Sequence, residues 1–297
     1  LGIPFLIIYL IQILDTTIRG RKDIEDNLSA PFLGDIPQYS GEKQQGSFVV
    51  RENGRDPVSE AFRMIRSNMN FMNLGNGEIK VIMVTSSNSH AGKTFVSTNL
   101  AMTFATTGKK VVIMDLDLRR RTFSKQMGHG GDTNGVSSYL SGSTELQAII
   151  RKSKLSEKLD IIYAGIQPPS EMLLSQRMEE LIAELKLHYD YIIIDSTPAM
   201  AVADAIITDR LADLSIYVVR EGLLDRRQLP DIERLYREKK FHNMAIILNG
   251  ASSTKRHGYG YGYGYGYGYG LDEEETTTKK GFWGKLCEWT RNKFQKK

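Results

Sequence analysis

Three groups of residues in this chain have the types and spacing to handle a phosphorylated ligand. The first is TSSNSHAGKTF at Thr85–Phe95, where Gly92, Lys93 and Thr94 match the end of the phosphate-binding loop G-x-x-x-x-G-K-[ST]. In such a loop, backbone N–H groups at a helix N-terminus point at anionic oxygens. The lysine neutralises β- and γ-phosphate charge, and the threonine hydroxyl ligates magnesium. Ser87 stands where the motif has its first glycine, and Ser89, His90 and Ala91 fill its middle. His90 either crowds the phosphates or hydrogen-bonds to them. The second group is acidic: VVIMDLDLRRR brings Asp115 and Asp117 to the end of an apolar run, and YIIIDSTPA brings Asp195 to the end of another. Ligands of parallel sheets bind outside the carboxyl ends of the strands, so the loop and these aspartates should share one crevice. Three carboxylates beside a triphosphate repel it unless a cation intervenes. Magnesium held by Thr94, Asp115 and Asp195, directly or through water, resolves the conflict. The third group is a row of phenols, Tyr259, Tyr261, Tyr263, Tyr265, Tyr267 and Tyr269, alternating with glycine. Glycine at every second position makes ordering costly, and a strand would put all the rings on one face. The run is either an adhesive low-complexity segment or a flexible tail whose hydroxyls are there to be modified.

These groups need a scaffold. Apolar runs rich in Val and Ile recur as KVIMVTS, KKVVIMDLD, LDIIYAG, YDYIIIDS, LSIYVVR and MAIILNG. Such unbroken runs suit strands covered on both faces. Helical stretches are expected between them at 94–106, 170–187, 203–211 and 225–239, and a further helix is capped by Asp56 or Ser59. The alternation predicts an α/β fold with a doubly wound, mostly parallel sheet of P-loop NTPase type. Its expected extent is 56–252. The polar, Pro- and Gly-bearing stretch 15–55 reads as a juxtamembrane linker with one short helix near Asp23–Leu28.

The ends differ in character. LGIPFLIIYLIQIL at 1–14 is shorter than the ~20 residues that span a bilayer, and Arg19, Arg21 and Lys22 follow it. It reads as the end of a truncated transmembrane helix with its cytoplasmic flank, the other reading being a buried core helix. The chain begins at Leu1 without methionine, which fits a fragment of a longer protein. The flexible Tyr-Gly tail covers 253–278. The final segment, 279–297, holds seven Lys or Arg and one acid, Glu288. It is an interfacial helix, a basic terminus, or a helix docked on its own domain. The net charge of +4 therefore belongs to this end, and no nucleic-acid partner is expected. The single cysteine, Cys287, excludes an intramolecular disulfide and a Cys-based zinc site, and suits a reducing compartment.

The order HAGKTF, then IMDLDLRRR about twenty residues later, then IIIDSTPAMAVADA, resembles the bacterial tyrosine kinases, the cytoplasmic domains of polysaccharide co-polymerases. Glu60, Arg63 and Arg66 match the E-x-x-R-x-x-R spacing by which that family joins subunits into a ring. PPSEMLL at Pro168–Leu174 and the tyrosine-rich end agree with it as well. Related partition and septum-site ATPases carry a lysine where this chain has Asn88, which favours the kinases.

The resemblance implies an ATP- and Mg2+-dependent autokinase that phosphorylates the tyrosine cluster in trans within a homo-oligomeric ring and so regulates exopolysaccharide assembly. ATP or ADP would be bound by Ser89, His90, Ala91, Gly92, Lys93, Thr94, Phe95 and Asn249, the last at the family's base-contacting position. Lys93, Asp115, Asp117 and Asp195 would be catalytic, with Asp117 taking the phenol proton. Arg119, Arg120 and Arg121 are either a solvated face or include a contact to phosphate or to a neighbour's tail. Implied partners are a polysaccharide polymerase or export machinery and a tyrosine phosphatase, at the cytoplasmic face of the bacterial inner membrane. A nucleotide-switched assembly ATPase or scaffold without kinase activity is the alternative.

Overall fold

The computed structural model describes residues 15–41, 47–76, 78–166, 170–200 and 203–252. The expected membrane stub, the residues Pro168 and Pro169, the tyrosine cluster and the basic segment 279–297 lie outside the described residues. Among the described residues, no helix is long and apolar enough to cross a membrane.

Eight strands form one sheet: β1 (Phe32–Pro37), β2 (Val81–Ser86), β3 (Val111–Asp115), β4 (Ile150–Lys152), β5 (Leu159–Ile162), β6 (Tyr191–Asp195), β7 (Leu214–Arg220) and β8 (Met244–Ala251). Their spatial order is β1-β8-β7-β2-β6-β3-β5-β4. Every pairing is parallel except that of the short β4 with β5. The helices are α1 (Arg21–Glu25), α2 (Pro57–Asn76), α3 (Lys93–Ala105), α4 (Thr122–Gln126), α5 (Val136–Leu140), α6 (Leu146–Ile149), α7 (Gln176–His188), α8 (Asp204–Asp209) and α9 (Leu229–Arg237).

The strand residues sort by parity, as the two-residue repeat of a strand requires. Val81 and Met83, Val112 and Met114, and Ile192 and Ile194 join one apolar cluster with Met178, Leu181 and Leu185 of α7. Ile82 and Val84, Val111 and Ile113, and Ile193 join the other with Phe62 and Ile65 of α2 and Val96 and Leu100 of α3. This double coverage is why the runs contain almost no polar residue. All six expected strands are present, and the mostly parallel doubly wound sheet is the one expected.

The stretch expected as a linker is a correction. Its described residues bury Ile18, Ile24, Leu33, Ile36 and Phe48, and Phe32–Pro37 adds the edge strand β1, paired from Phe32–Ile246 to Pro37–Ala251. Prolines and glycines marked this stretch as loop, but an edge strand tolerates proline. Gly34 has a use here: a Cβ on it would lie 3.1 Å from Cγ1 of Ile65, so α2 packs closely over β1. The short helix lies at Arg21–Glu25, slightly before its expected place.

Two devices tie this N-terminal region to the centre of the fold. Buried Asn99 of α3 donates to the carbonyls of Ser47 (2.9 Å) and Phe95 (2.7 Å) and accepts from the amides of Val49 (2.7 Å) and Val50 (2.9 Å). All of its amide's ordinary capacity is used. Residues 16–18 bind the turn after β7: the Ile18 amide donates to Leu224 (2.8 Å), the Gly222 amide to Ile18 (2.9 Å) and the Arg226 amide to Thr16 (2.8 Å).

Asn99→Ala would strand two buried amides and a carbonyl. It is expected to lower the unfolding free energy by about 2–4 kcal/mol in urea titration. Asn99→Leu should fail to restore it despite filling the space, and a change below about 0.5 kcal/mol in both variants would contradict this role.

Candidate active site

The chain reverses direction across the sheet at β2. After β2 it crosses to β3, and it later inserts β6 between them and lays β7 on the other side. Ligand crevices in open α/β sheets form at such reversals. The loop between β2 and α3 lies there, and a cleft of about 520 Å³ opens above it.

The loop conformation depends on Gly92. Its φ is 98°, and a Cβ there would sit 2.0 Å from Nδ2 of Asn249. That Nδ2 donates to the carbonyl of Ala91 at 2.8 Å, so a side chain at 92 would break the bond that fixes the loop to β8. Gly92 is also the N-cap of α3 and offers no side-chain acceptor to the first-turn amides. A helix N-terminus left in this state attracts anions through those amides and the helix dipole. Ser87, in place of the motif's first glycine, is buried and its hydroxyl meets the Tyr217 hydroxyl at 2.9 Å. It packs against β7. His90 is exposed at the cleft wall with φ 67°.

Beneath the loop lie the carboxylates. Asp115 and Asp195 are register partners at the ends of β3 and β6, and both are buried. The Thr94 hydroxyl donates to Oδ2 of Asp195 at 2.7 Å, while Oδ1 of Asp195 has no hydrogen-bond partner among the described residues. Asp115 accepts from the Ser124 amide (3.0 Å) and hydroxyl (2.6 Å) and from the Asp117 amide (3.1 Å). Burial, with the charge of Asp195 next, pushes Asp115 up to about 7. Burial also pushes Asp195 up to about 6, against the opposing pull of Lys93 and the Thr94 hydrogen bond. Asp117 is buried in the cleft wall and accepts from the Arg120 amide at 3.0 Å.

The expected residues are therefore brought together, with different tasks. Ser89, His90, Gly92, Lys93, Thr94, Phe95, Asp117 and Asn249 line the cleft. Ala91, Asp115 and Asp195 are buried. The three arginines separate: Arg119 pairs with Asp204 at 2.9 Å, Arg121 donates to the Gly165 carbonyl at 3.0 Å, and Arg120 lines the cleft. Glu60, Arg63 and Arg66 stay on α2. Arg63 pairs with Glu60 and donates to the Gly54 carbonyl, and Arg66 donates to the Thr103 carbonyl at 3.1 Å. The sequence reading missed Gln38, Tyr39, Gln126, Arg220 and Leu223 in the cleft wall. Only Arg220 carried a signal, being the last residue of an expected strand.

Among the described residues, no group of three or more His, Cys, Asp or Glu could hold a metal ion by itself. Magnesium fits the donors that are present, because it commonly takes one or two protein oxygens and completes its shell with water and phosphate. The unpartnered Oδ1 of Asp195 and the Thr94 hydroxyl are such donors.

A family model for an AAA domain matches residues 79–219. Tyrosine-protein kinase YwqD of Bacillus subtilis is 32% identical over 221 residues, which is 74% of this chain and 92% of YwqD. The chain belongs to the bacterial tyrosine-protein kinases. Tyrosine-protein kinase etk of Escherichia coli is 34% identical over 68% of this chain but only 28% of its own length. Among solved structures, the kinase domain of that enzyme superposes with a TM-score of 0.68 at 30% identity, covering 82% of this chain and 98% of the domain. The chimerical protein CapA2B2 gives 0.70 at 29% identity, covering 79% of this chain and 100% of its own. The chain thus spans nearly the whole of some relatives and under a third of others.

The raised carboxylates predict a pH effect. A carboxyl whose folded pKa lies above its unfolded value holds its proton more tightly when folded, so stability falls as pH rises from about 4 to about 7. Asp195→Asn removes that penalty and keeps an acceptor for Thr94. In metal-free buffer it should stabilise the domain at pH 8 by on the order of 2 kcal/mol and give no gain at pH 4. Equal effects at both pH values would contradict the assignment.

Proposed function

We propose that this chain is the catalytic domain of an ATP- and magnesium-dependent tyrosine autokinase whose acceptors are Tyr259, Tyr261, Tyr263, Tyr265, Tyr267 and Tyr269. The observation that carries the reading is the Thr94–Asp195 hydrogen bond beneath the cleft that Lys93 and Asp117 line. Lys93 and the first-turn amides of α3 bind the β- and γ-phosphates of ATP. Thr94, Asp195 and Asp115 would hold magnesium, which when bound would neutralise charge on the transferring phosphoryl group. Asp117 accepts the proton of the attacking phenol, whose ordinary pKa near ~10 otherwise keeps it a poor nucleophile. The phenol oxygen bonds to the γ-phosphorus, the bridging oxygen departs with ADP, and the proton rests on Asp117. Positioning and charge stabilisation account for most of such catalysis.

Acceptance occurs between subunits. Glu60, Arg63 and Arg66 on α2 join copies into a ring, and each copy receives its neighbour's tail. Each phosphate adds about −1.5 to −2 charge, which loosens the assembly by repulsion from the acidic crevices. The cycle regulates exopolysaccharide or capsule assembly at the cytoplasmic face of the bacterial inner membrane. It acts with a polysaccharide polymerase or export machinery, and a tyrosine phosphatase reverses it.

A mixing experiment tests this. Lys93→Met protein with its tyrosines intact is combined with an active protein whose six tail tyrosines are phenylalanine, in magnesium and ATP. Phosphotyrosine should appear on the Lys93→Met chain, and Arg63→Ala with Arg66→Ala in both partners should abolish most of it. No label on the tail-bearing chain would refute transfer in trans and favour a nucleotide-switched scaffold.

A further inference from the structure

The strand order gives the cleft two unlike ends. On one side of β2 lie β6 and β3, whose ends supply the carboxylates. On the other side lie β7, β8 and β1, and their carboxyl ends supply Arg220, Asn249, Gly250 and Gln38 to the cleft wall. A nucleotide with its phosphates at the N-terminus of α3 would direct its base toward the second end.

Arg220 dominates that end. It is the last residue of β7 and the register partner of Asn249. Its side chain passes between two glycines: a Cβ on Gly92 would lie 3.9 Å from Nη1, and one on Gly250 would lie 3.7 Å from Nε and 3.9 Å from Cζ. Both glycines have positive φ, 98° and 74°, so substitution at either is strained as well as crowded. The adjacent acid does not hold the guanidinium. Glu221 instead accepts from the Ser252 amide (3.1 Å) and hydroxyl (2.8 Å). Among the described residues Arg220 makes no ion pair and no side-chain hydrogen bond, and it lines the cleft. The nearby Leu223, 42% exposed, adds apolar surface to the same wall. A planar delocalised cation beside an apolar side chain is chemistry that suits the face of an aromatic ring.

We propose that Arg220 stacks its guanidinium on the nucleotide's base and sets the preference for a base-bearing ligand over phosphate alone. Asn249, whose Nδ2 donates to the Ala91 carbonyl at 2.8 Å, fixes the loop and still carries a second N–H and Oδ1 that can meet the edge of the same base. The proposal rests on the ATP-dependent tyrosine-kinase reading, and its test separates the two.

Calorimetric titration of the full chain uses two probes with magnesium, ADP and inorganic tripolyphosphate. The unsubstituted chain should bind both. Arg220→Ala should weaken ADP about tenfold, the scale of a lost base stack, and change tripolyphosphate less than twofold. Arg220→Lys, which keeps the charge and loses the plane, should resemble Arg220→Ala, as should Arg220→Gln; unchanged melting curves would show that all three fold. Equal weakening of both probes by Arg220→Ala would make Arg220 a phosphate contact and overturn the proposal, as would full ADP binding by Arg220→Lys. Failure of the unsubstituted chain to bind either probe would overturn the nucleotide reading, and this proposal with it.

Discussion

The structure is organised around a buried carboxylate whose burial costs the isolated domain stability, that of Asp195, which the Thr94 hydroxyl only partly compensates. It lies against the first turn of α3, 2.7 Å from that hydroxyl, while Asp115 stands beside it on the neighbouring strand. Two adjacent buried carboxylates disfavour each other's charged forms, and burial disfavours both. Ser124 and the Asp117 amide satisfy Asp115, but one oxygen of Asp195 has no partner among the described residues. Such a site is a poor stabiliser and a good receiver of positive charge. Strained electrostatics of this kind concentrate where function is paid for elsewhere in the fold.

The surrounding architecture holds that arrangement in place. Double-sided burial of β2, β3 and β6 fixes the strand ends that carry the acids. Asn249 holds the loop through Ala91, and Gly92 leaves the room it needs. Asn99 fastens residues 47–50 to α3, and the 16–18 segment fastens the turn after β7. The two sides of the cleft therefore come from different halves of the sheet, with β2 between them.

Much of this was legible in the sequence because it follows from short-range chemistry. Val- and Ile-rich runs between polar helical stretches identify covered parallel strands, and the rule that ligands gather at strand ends places Asp115, Asp117 and Asp195 near Gly92–Thr94. The part that escaped depends on long-range partners. β1 is a strand because β8 lies beside it, and FLGDIP alone carries loop markers. Ser47, Tyr39 and Gln126 reach the cleft through tertiary packing that no local pattern encodes. The run Arg119–Arg121 illustrates the limit: one residue type repeated three times acquires three different partners, decided by Asp204, the Gly165 carbonyl and the open cleft. Asn99 gave no signal at all, since a buried asparagine in a helix is recognisable only from the backbone it serves.

On the proposed function, the buried acids are poised for a cation that arrives with nucleotide. Thermal unfolding with ADP alone, magnesium alone and both together is the measurement that decides this. A ligand that binds only the folded state raises stability with the logarithm of its saturation, about 2.7 kcal/mol at one hundred times its dissociation constant. Small shifts are expected for either component alone and a joint shift well above their sum, lost in Asp195→Asn and in Lys93→Met. Additive shifts, or a joint shift that survives Asp195→Asn unchanged, would contradict it.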